Sequence, residues 1–281
     1  MIISFSGKIG SGKDLSGNIC KILLQSPHLN NEGVETFLNK ELNKNEGSWE
    51  IRKWADKLKD IVCTVLNCSM EQLEDREFKE TPLGEEWTKF KVVRTKVTKF
   101  ERIDEVFYFS TLEEAEQFKL DNLNYDYFGE IEKIEMTPRL MLQLLGTEGG
   151  RNIIHPEIWV NSLISEYKSY LSSNHPVDDL DWEPRFIYPN WIITDTRFPN
   201  ELKAVKSKGG FTIRVSRPCE ECNVIDGHKM IPHKINPSEH SSESALDNEV
   251  FDYEIVNDGT ISDLIDKIRI ILIENNLINV N

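Results

Sequence analysis

Near the start of the chain, the octet Gly7-Lys-Ile-Gly-Ser-Gly-Lys13-Asp14 has the residue types and spacing to hold phosphate. Glycines at 7, 10 and 12 let a backbone curl until its N–H groups converge on one anion, and Lys13 adds a point charge at the same place. The spacing satisfies the G-x4-G-K form of a phosphate-binding loop, which here includes Ser11. The helix expected after it would turn its positive N-terminal end toward the phosphates of ATP. Such loops normally end in Ser or Thr, whose hydroxyl binds the magnesium that bridges the β- and γ-phosphates. Asp14 stands there instead. Its carboxylate could hold magnesium, directly or through water, or cap the helix as an N-terminal acid, and the residues alone leave both open.

Phosphoryl transfer asks a protein for positioning and for cations around the moving group, a task that suits the planar, two-pronged guanidinium. Arg139, Arg151 and Arg197 fall at expected helix starts or strand ends, where loops meet the open edge of a parallel sheet and ligands bind. A surface ion pair is the plain alternative for each. Asp195 follows the apolar run Trp191-Ile-Ile-Thr194, a place where an acid can hold a metal's water shell or cap a helix. Trp159, in a Trp-Val-x-x-Leu-Ile pattern, either flanks a base or fills the core. Gly146 and Thr147 close a Leu-Leu-Gly helix end, as a C-cap or as a ligand loop. Cys219-Glu-Glu-Cys222 with His228 and His233 offers ligand types that zinc accepts. The five residues between Cys222 and His228 are too few beside the roughly twelve usual in zinc fingers. A solvated loop of free thiols is expected there, not a structural zinc.

The elements that must position these residues follow from periodicity. Met1 to Ser6 reads as a buried strand that stops at glycine, and Asp14 to Gln25 as a helix with Ile19, Ile22, Leu23 and Leu24 at helical spacing, ended by Pro27. Further strands are predicted at Glu50 to Trp54, Trp191 to Thr194, Phe211 to Ser216 and Tyr253 to Val256, joined through helical pattern. That alternation predicts an α/β fold, a parallel five-stranded sheet flanked by helices. Residues 85 to 135 break the rhythm with alternating stretches and an acidic helix near Leu112 to Lys119, an inserted hairpin-rich subdomain. Residues 172 to 189, with three prolines, read as an extended surface connection within what is otherwise a single domain over 1–281.

Composition narrows the partners. A net charge of −15, from 48 acidic and 33 basic residues, would repel a nucleic-acid backbone. Small anionic substrates fit, because a few arginines in a pocket reverse the local field. No run approaches the roughly 18 to 20 apolar residues of a membrane span, and the N-terminus lacks a signal-peptide layout, so a cytoplasmic protein is expected. Five cysteines agree with a reducing compartment.

The Gly-Lys-Asp loop ending resembles that of the bacteriophage deoxynucleoside monophosphate kinases, within the P-loop nucleoside monophosphate kinase superfamily. Other segments resemble the family in the same order: Trp54-Ala-Asp-Lys-Leu-Lys59, Asp75-Arg-Glu-Phe-Lys-Glu80, Thr137-Pro-Arg-Leu-Met-Leu-Gln-Leu-Leu-Gly-Thr-Glu148 with Arg151 and Trp159, Asp195-Thr-Arg-Phe-Pro-Asn-Glu201, Arg214-Val-Ser-Arg-Pro218, His240-Ser-Ser-Glu243 and Ile255-Val-Asn-Asp-Gly-Thr. The resemblance implies a P-loop kinase fold, ATP with Mg2+, and acceptors drawn from dTMP, dGMP and modified dCMP for DNA synthesis. It implies catalytic roles for Lys13, Arg139, Arg151 and Arg197, and ATP contacts from Gly7, Gly10, Ser11, Gly12, Lys13 and Asp14. It also implies acceptor contacts from Lys59, Arg76, Arg139, Gly146, Thr147, Arg151, Trp159 and Thr196, with Asp14 and Asp195 on the metal. Leu15 stands where the family often has a hydroxyl residue, and Ile9 and Gly10 where it often has a basic one. Two other functions compete: a kinase for another phosphorylated acceptor, since phosphomevalonate kinases share the loop ending, and a weak nucleotide-binding module. If the chain is viral, the host cytoplasm is its place of action. Its oligomeric state stays open, a homodimer among the readings.

Overall fold

The computed structural model describes residues 1–39, 48–97, 102–122, 127–171, 186–218 and 245–279. The chain begins with β1 (Ile2–Ser6), α1 (Lys13–Gln25), α2 (Asn31–Leu38), β2 (Trp49–Arg52), α3 (Asp56–Leu66), α4 (Met70–Glu74) and α5 (Arg76–Glu80). It continues through β3 (Lys89–Val97), β4 (Arg102–Phe109), α6 (Leu112–Asn122), β5 (Tyr127–Phe128), β6 (Glu132–Ile134), α7 (Pro138–Gln143) and a π-helical segment, Leu144–Ile154. The last part comprises α8 (Ile158–Ile164), β7 (Tyr170–Leu171), β8 (Phe186–Ile187), β9 (Asn190–Thr196), α9 (Pro199–Ser207), β10 (Phe211–Ser216), β11 (Tyr253–Val256) and α10 (Ile261–Glu274).

These residues form two compact units, Met1–Lys57 with Glu157–Asn281, and Leu58–Pro156. The first holds a five-stranded sheet in the order β11-β10-β1-β9-β2, every pair parallel. Alternation along β1 explains how both faces are filled. Ile3 and Phe5 point to a core shared with Ile19 and Leu23 of α1 and Ile265 and Ile268 of α10. Ile2 packs on the opposite face with Trp191, Ile193, Val160, Leu163 and Val205. Each such side chain, taken wholly out of water, contributes on the order of 1.5–3 kcal/mol. Because β1 is flanked by the much later strands β9 and β10, its C-terminal end is a switch point, where parallel sheets open a crevice for ligands.

The second unit is antiparallel. β3 and β4 pair from Phe90↔Phe109 to Val97↔Arg102, and β5 and β6 add to the other edge of β3. Helix α6 closes this small sheet through Phe118, whose ring lies 4.6 Å from Phe107 and 5.1 Å from Phe109.

Several sequence-based expectations need correction. β2 stops at Arg52, not Trp54, because the N–H groups of Trp54 and Ala55 go to Asp195 instead of a sheet ladder. β9 runs on through Asp195 and Thr196. The helix expected to end at Gly146 continues past it in π form, so Gly146 is no C-cap; it is buried, and a Cβ there would sit 2.9 Å from Leu58 of α3. Close packing against Leu58, not helix termination, is what the glycine serves, since a Cβ would push the end of that side chain aside. Arg151 accordingly lies in the last turn of a helical segment, not at a helix start. Of the 172–189 connection, residues 172–185 lie outside the described residues, and its ends are held as the antiparallel pair β7–β8. Cys219, Cys222, His228 and His233 also lie outside them.

Candidate active site

The loop between β1 and α1 has the backbone that its glycines anticipate. Gly10 and Gly12 adopt φ of 79° and 95°, a left-handed region costly to residues with a Cβ. A Cβ on Gly7 would meet the Val215 carbonyl and Ser11 Oγ, each at 2.4 Å. Lys13, the first residue of α1, is only 8% exposed. The Ser11 hydroxyl is buried and has no hydrogen-bond partner among the described residues. An open cleft of about 270 Å³ runs beside the loop, lined by Lys8–Ser11 and by Arg214–Pro218.

Helix α1 approaches β9 closely at Gly17, where a Cβ would lie 2.3 Å from Thr194. Asp14 is one turn earlier on the same face, so its carboxylate meets β9 directly and accepts the Thr194 hydroxyl at 3.1 Å. The same Oδ1 lies 3.5 Å from Lys53 Nζ, while the side chain stays 59% exposed. Gly12 takes the N-cap position of α1 without any side-chain bond. Asp14 therefore does not cap the helix; it is an oxygen donor presented beside the loop.

Asp195, on the adjoining strand, is committed to the backbone. Its two oxygens accept the N–H groups of Trp54 at 2.8 Å and Ala55 at 3.1 Å, which fixes the turn from β2 into α3. Thr196 is buried, its hydroxyl shared with Ser4 at 2.6 Å and Trp54 Nε1 at 3.0 Å. Arg197 is the first residue after β9, and its backbone N–H is anchored 2.7 Å from the carboxylate of Glu201, which also takes the Phe198 N–H. Trp159 is 5% exposed in α8. Glu166 draws together Arg52 and Lys57 beside the β2–α3 turn. Burial alone would raise its pKa, but hydrogen bonds from Arg52 and Lys57 outweigh this and hold it below the ordinary glutamate value.

The remaining expected residues belong to the Leu58–Pro156 unit. Thr137 caps α7 with Pro138 at its first position, which sets Arg139 at the helix start, paired with Glu80. Lys59 pairs with Glu74, and Arg76 opens α5 on the surface. Thr147 follows the buried Gly146, and Arg151 donates to the Pro156 carbonyl at 3.4 Å. Sequence reasoning missed Lys53, Thr194 and Asn257. Asn257 stands in one of the family-like segments, but nothing in its local pattern shows what it contacts.

A family model described as deoxynucleotide monophosphate kinase matches residues 1–268. The chain belongs to this kinase family. Among curated proteins it is similar to the deoxynucleoside-5'-monophosphate kinase of Escherichia phage T5, 25% identical over 270 residues that cover 92% of this chain and 89% of that one. It is also similar to the deoxynucleotide monophosphate kinase of Escherichia phage RB69, 28% identical over 134 residues, 48% of this chain and 44% of that one. As a deoxynucleotide monophosphate kinase the protein is a phosphotransferase, of a family that uses ATP with a divalent metal ion. Among the described residues no three His, Cys, Asp or Glu side chains gather. A metal carried on ATP asks less of the protein, one or two carboxylates beside the phosphates, and the half-exposed Asp14 carboxylate is a hard oxygen donor of that chemical kind. No helix among the described residues is long and apolar enough to cross a membrane.

Proposed function

We propose that this kinase moves the γ-phosphate of ATP to the 5′-phosphate of a deoxynucleoside monophosphate of the dTMP, dGMP or modified dCMP class, in the cytoplasm of a host cell. The observation that carries the reading is the loop itself, two left-handed glycines and a buried Lys13 at the switch point of the sheet, with Asp14 held on Thr194. An oxygen of the acceptor phosphate attacks the γ-phosphorus, the bond from that phosphorus to the oxygen of the departing ADP breaks, and a deoxynucleoside diphosphate leaves with ADP. Charge moves onto the β–γ bridge as this happens, and Lys13 opposes it most strongly at the transition state. A divalent ion, Mg2+ in this reading, neutralises the β- and γ-phosphates when bound, with Asp14 as its protein oxygen.

Asp195 serves that region through the turn it fixes, its backbone bonds leaving a water-mediated share in the metal shell. Arg197 adds charge to the moving group. Arg139 and Arg151 grip the acceptor phosphate, helped by Lys59 and Arg76, while Gly146 and Thr147 shape its loop. Trp159 and Thr196 support the pocket from within the fold, as their burial suggests. Small nucleotides are its partners, and the acidic surface disfavours a nucleic-acid polymer. A coupled ADP-release assay over the common deoxynucleoside and nucleoside monophosphates tests the reading. Turnover confined to deoxynucleotides is the expected result, and no turnover with any of them would overturn it.

A further inference from the structure

We infer that Asn257, on the loop after the edge strand β11, is a positioning residue of the donor site, which aims the Gly12 N–H at the ATP phosphates. The inference rests on the phosphate-binding role of the Gly7–Lys13 loop. Asn257 is 6% exposed, and its Nδ2 donates to the Ser11 carbonyl at 2.9 Å. In a trans peptide the carbonyl of one residue and the N–H of the next point in opposite directions across one plane. Holding the Ser11 carbonyl outward therefore turns the Gly12 N–H the other way, into the curl of the loop. The amide also lies close against Gly12, where a Cβ would be 2.5 Å from Nδ2, so the same contact favours glycine there for room as well as for its φ.

Asn257 is itself well fixed. Its backbone N–H donates to Ser216 of β10 at 2.7 Å. On either side, Lys267 of α10 binds the Val256 carbonyl at 2.6 Å and Asp258 at 2.7 Å. Thr260 then caps α10 in a capping box with Asp263. A short side chain on so firm a base can define a peptide plane in a loop whose glycines would otherwise let it turn. Glycine loops gain close approach to phosphate at the expense of rigidity, and an amide clamp restores the rigidity without adding charge beside the phosphates.

Two substitutions separate clamping from filling. Asn257→Ala removes the clamp and leaves space, whereas Asn257→Leu removes the clamp but keeps the volume and adds no charge beside the phosphates. Affinity for ADP, read by calorimetry without acceptor, is expected to fall about tenfold in both. KM for ATP should rise alike in both, with KM for the deoxynucleotide within twofold of wild type. A filling role predicts a clear order instead, with Asn257→Leu near wild type and Asn257→Ala the weaker. That order, equal changes in both KM values, or melting losses without a change in ADP affinity in the folded protein would overturn the inference. Absence of ADP binding in the wild-type protein would instead remove the donor-site reading on which it stands.

Discussion

At the C-terminal end of the parallel sheet, Lys13 is buried at a helix start and Asp14 and Asp195 are held by Thr194 and by backbone N–H groups. In the Leu58–Pro156 unit, Arg139 is 40% exposed and Arg76 is on the surface. The first region is organised before any ligand arrives. The second holds Arg139 against Glu80 in an exposed ion pair that water screens and a phosphate can displace, beside a less exposed Lys59–Glu74 pair. Preorganised charge in a water-poor setting is what lowers a barrier, whereas exposed arginines serve to capture a dianion. The two regions should therefore fail differently, one in turnover and one in acceptor affinity.

The largest effect is expected at Lys13. Lys13→Ala should lower kcat by about a thousandfold or more with the melting temperature nearly unchanged, because its charge is felt mainly as the γ-phosphate moves. A kcat near wild type would erase the difference between the regions. Trp159→Ala tests whether the buried indole acts as packing: truncation should cost about 3–5 kcal/mol of stability in denaturant titrations. A normal stability with a selective rise in acceptor KM would move Trp159 into direct contact with substrate.

Arg139→Lys keeps the charge but loses the two-pronged geometry. Its KM for the deoxynucleotide should rise roughly ten- to a hundredfold, about 1.4–2.8 kcal/mol, with KM for ATP and stability almost unmoved. An ATP-side defect would break the comparison. Asp14→Ala should raise the magnesium concentration for half-maximal rate by about tenfold. Its thermal melt should fall by no more than about 1 kcal/mol, the loss of the Thr194 hydroxyl bond, since Asp14 does not cap α1; a magnesium dependence equal to wild type would sink the metal role. The smallest effect belongs to Glu166, whose pKa is held below that of the unfolded chain. Its contribution, on the order of 0.5 kcal/mol, is therefore present above about pH 4.3 and lost as pH falls through the folded value. Melts of Glu166→Gln and wild type should differ near neutrality and converge in acid; a constant gap would count against the linkage.

The donor loop was legible because its chemistry is local. Gly7, Gly10, Gly12 and Lys13 are neighbours in the chain, and their conformations follow from the absence of a Cβ and from the strand and helix on either side. The parallel sheet was legible for a similar reason, since strands buried on both faces read as apolar runs with helices between them. Gly146 misled, because a glycine after Leu-Leu reads as a helix end when the side chain it packs against, Leu58, is far away in sequence.

By itself, then, the sequence determined the phosphate loop, the α/β architecture and the kinase family, all of which rest on contiguous patterns in a fixed order. Tertiary structure alone decided what Asp14, Asp195 and Asn257 bond to. Their partners Thr194, Trp54 and Ser11 lie 180, 141 and 246 residues away, and only the order of strands in the sheet brings them within hydrogen-bond reach. A carboxylate or an amide has the same local signature whether it caps a helix, holds a turn or clamps a loop, because short polar side chains bond whatever backbone the fold delivers to them.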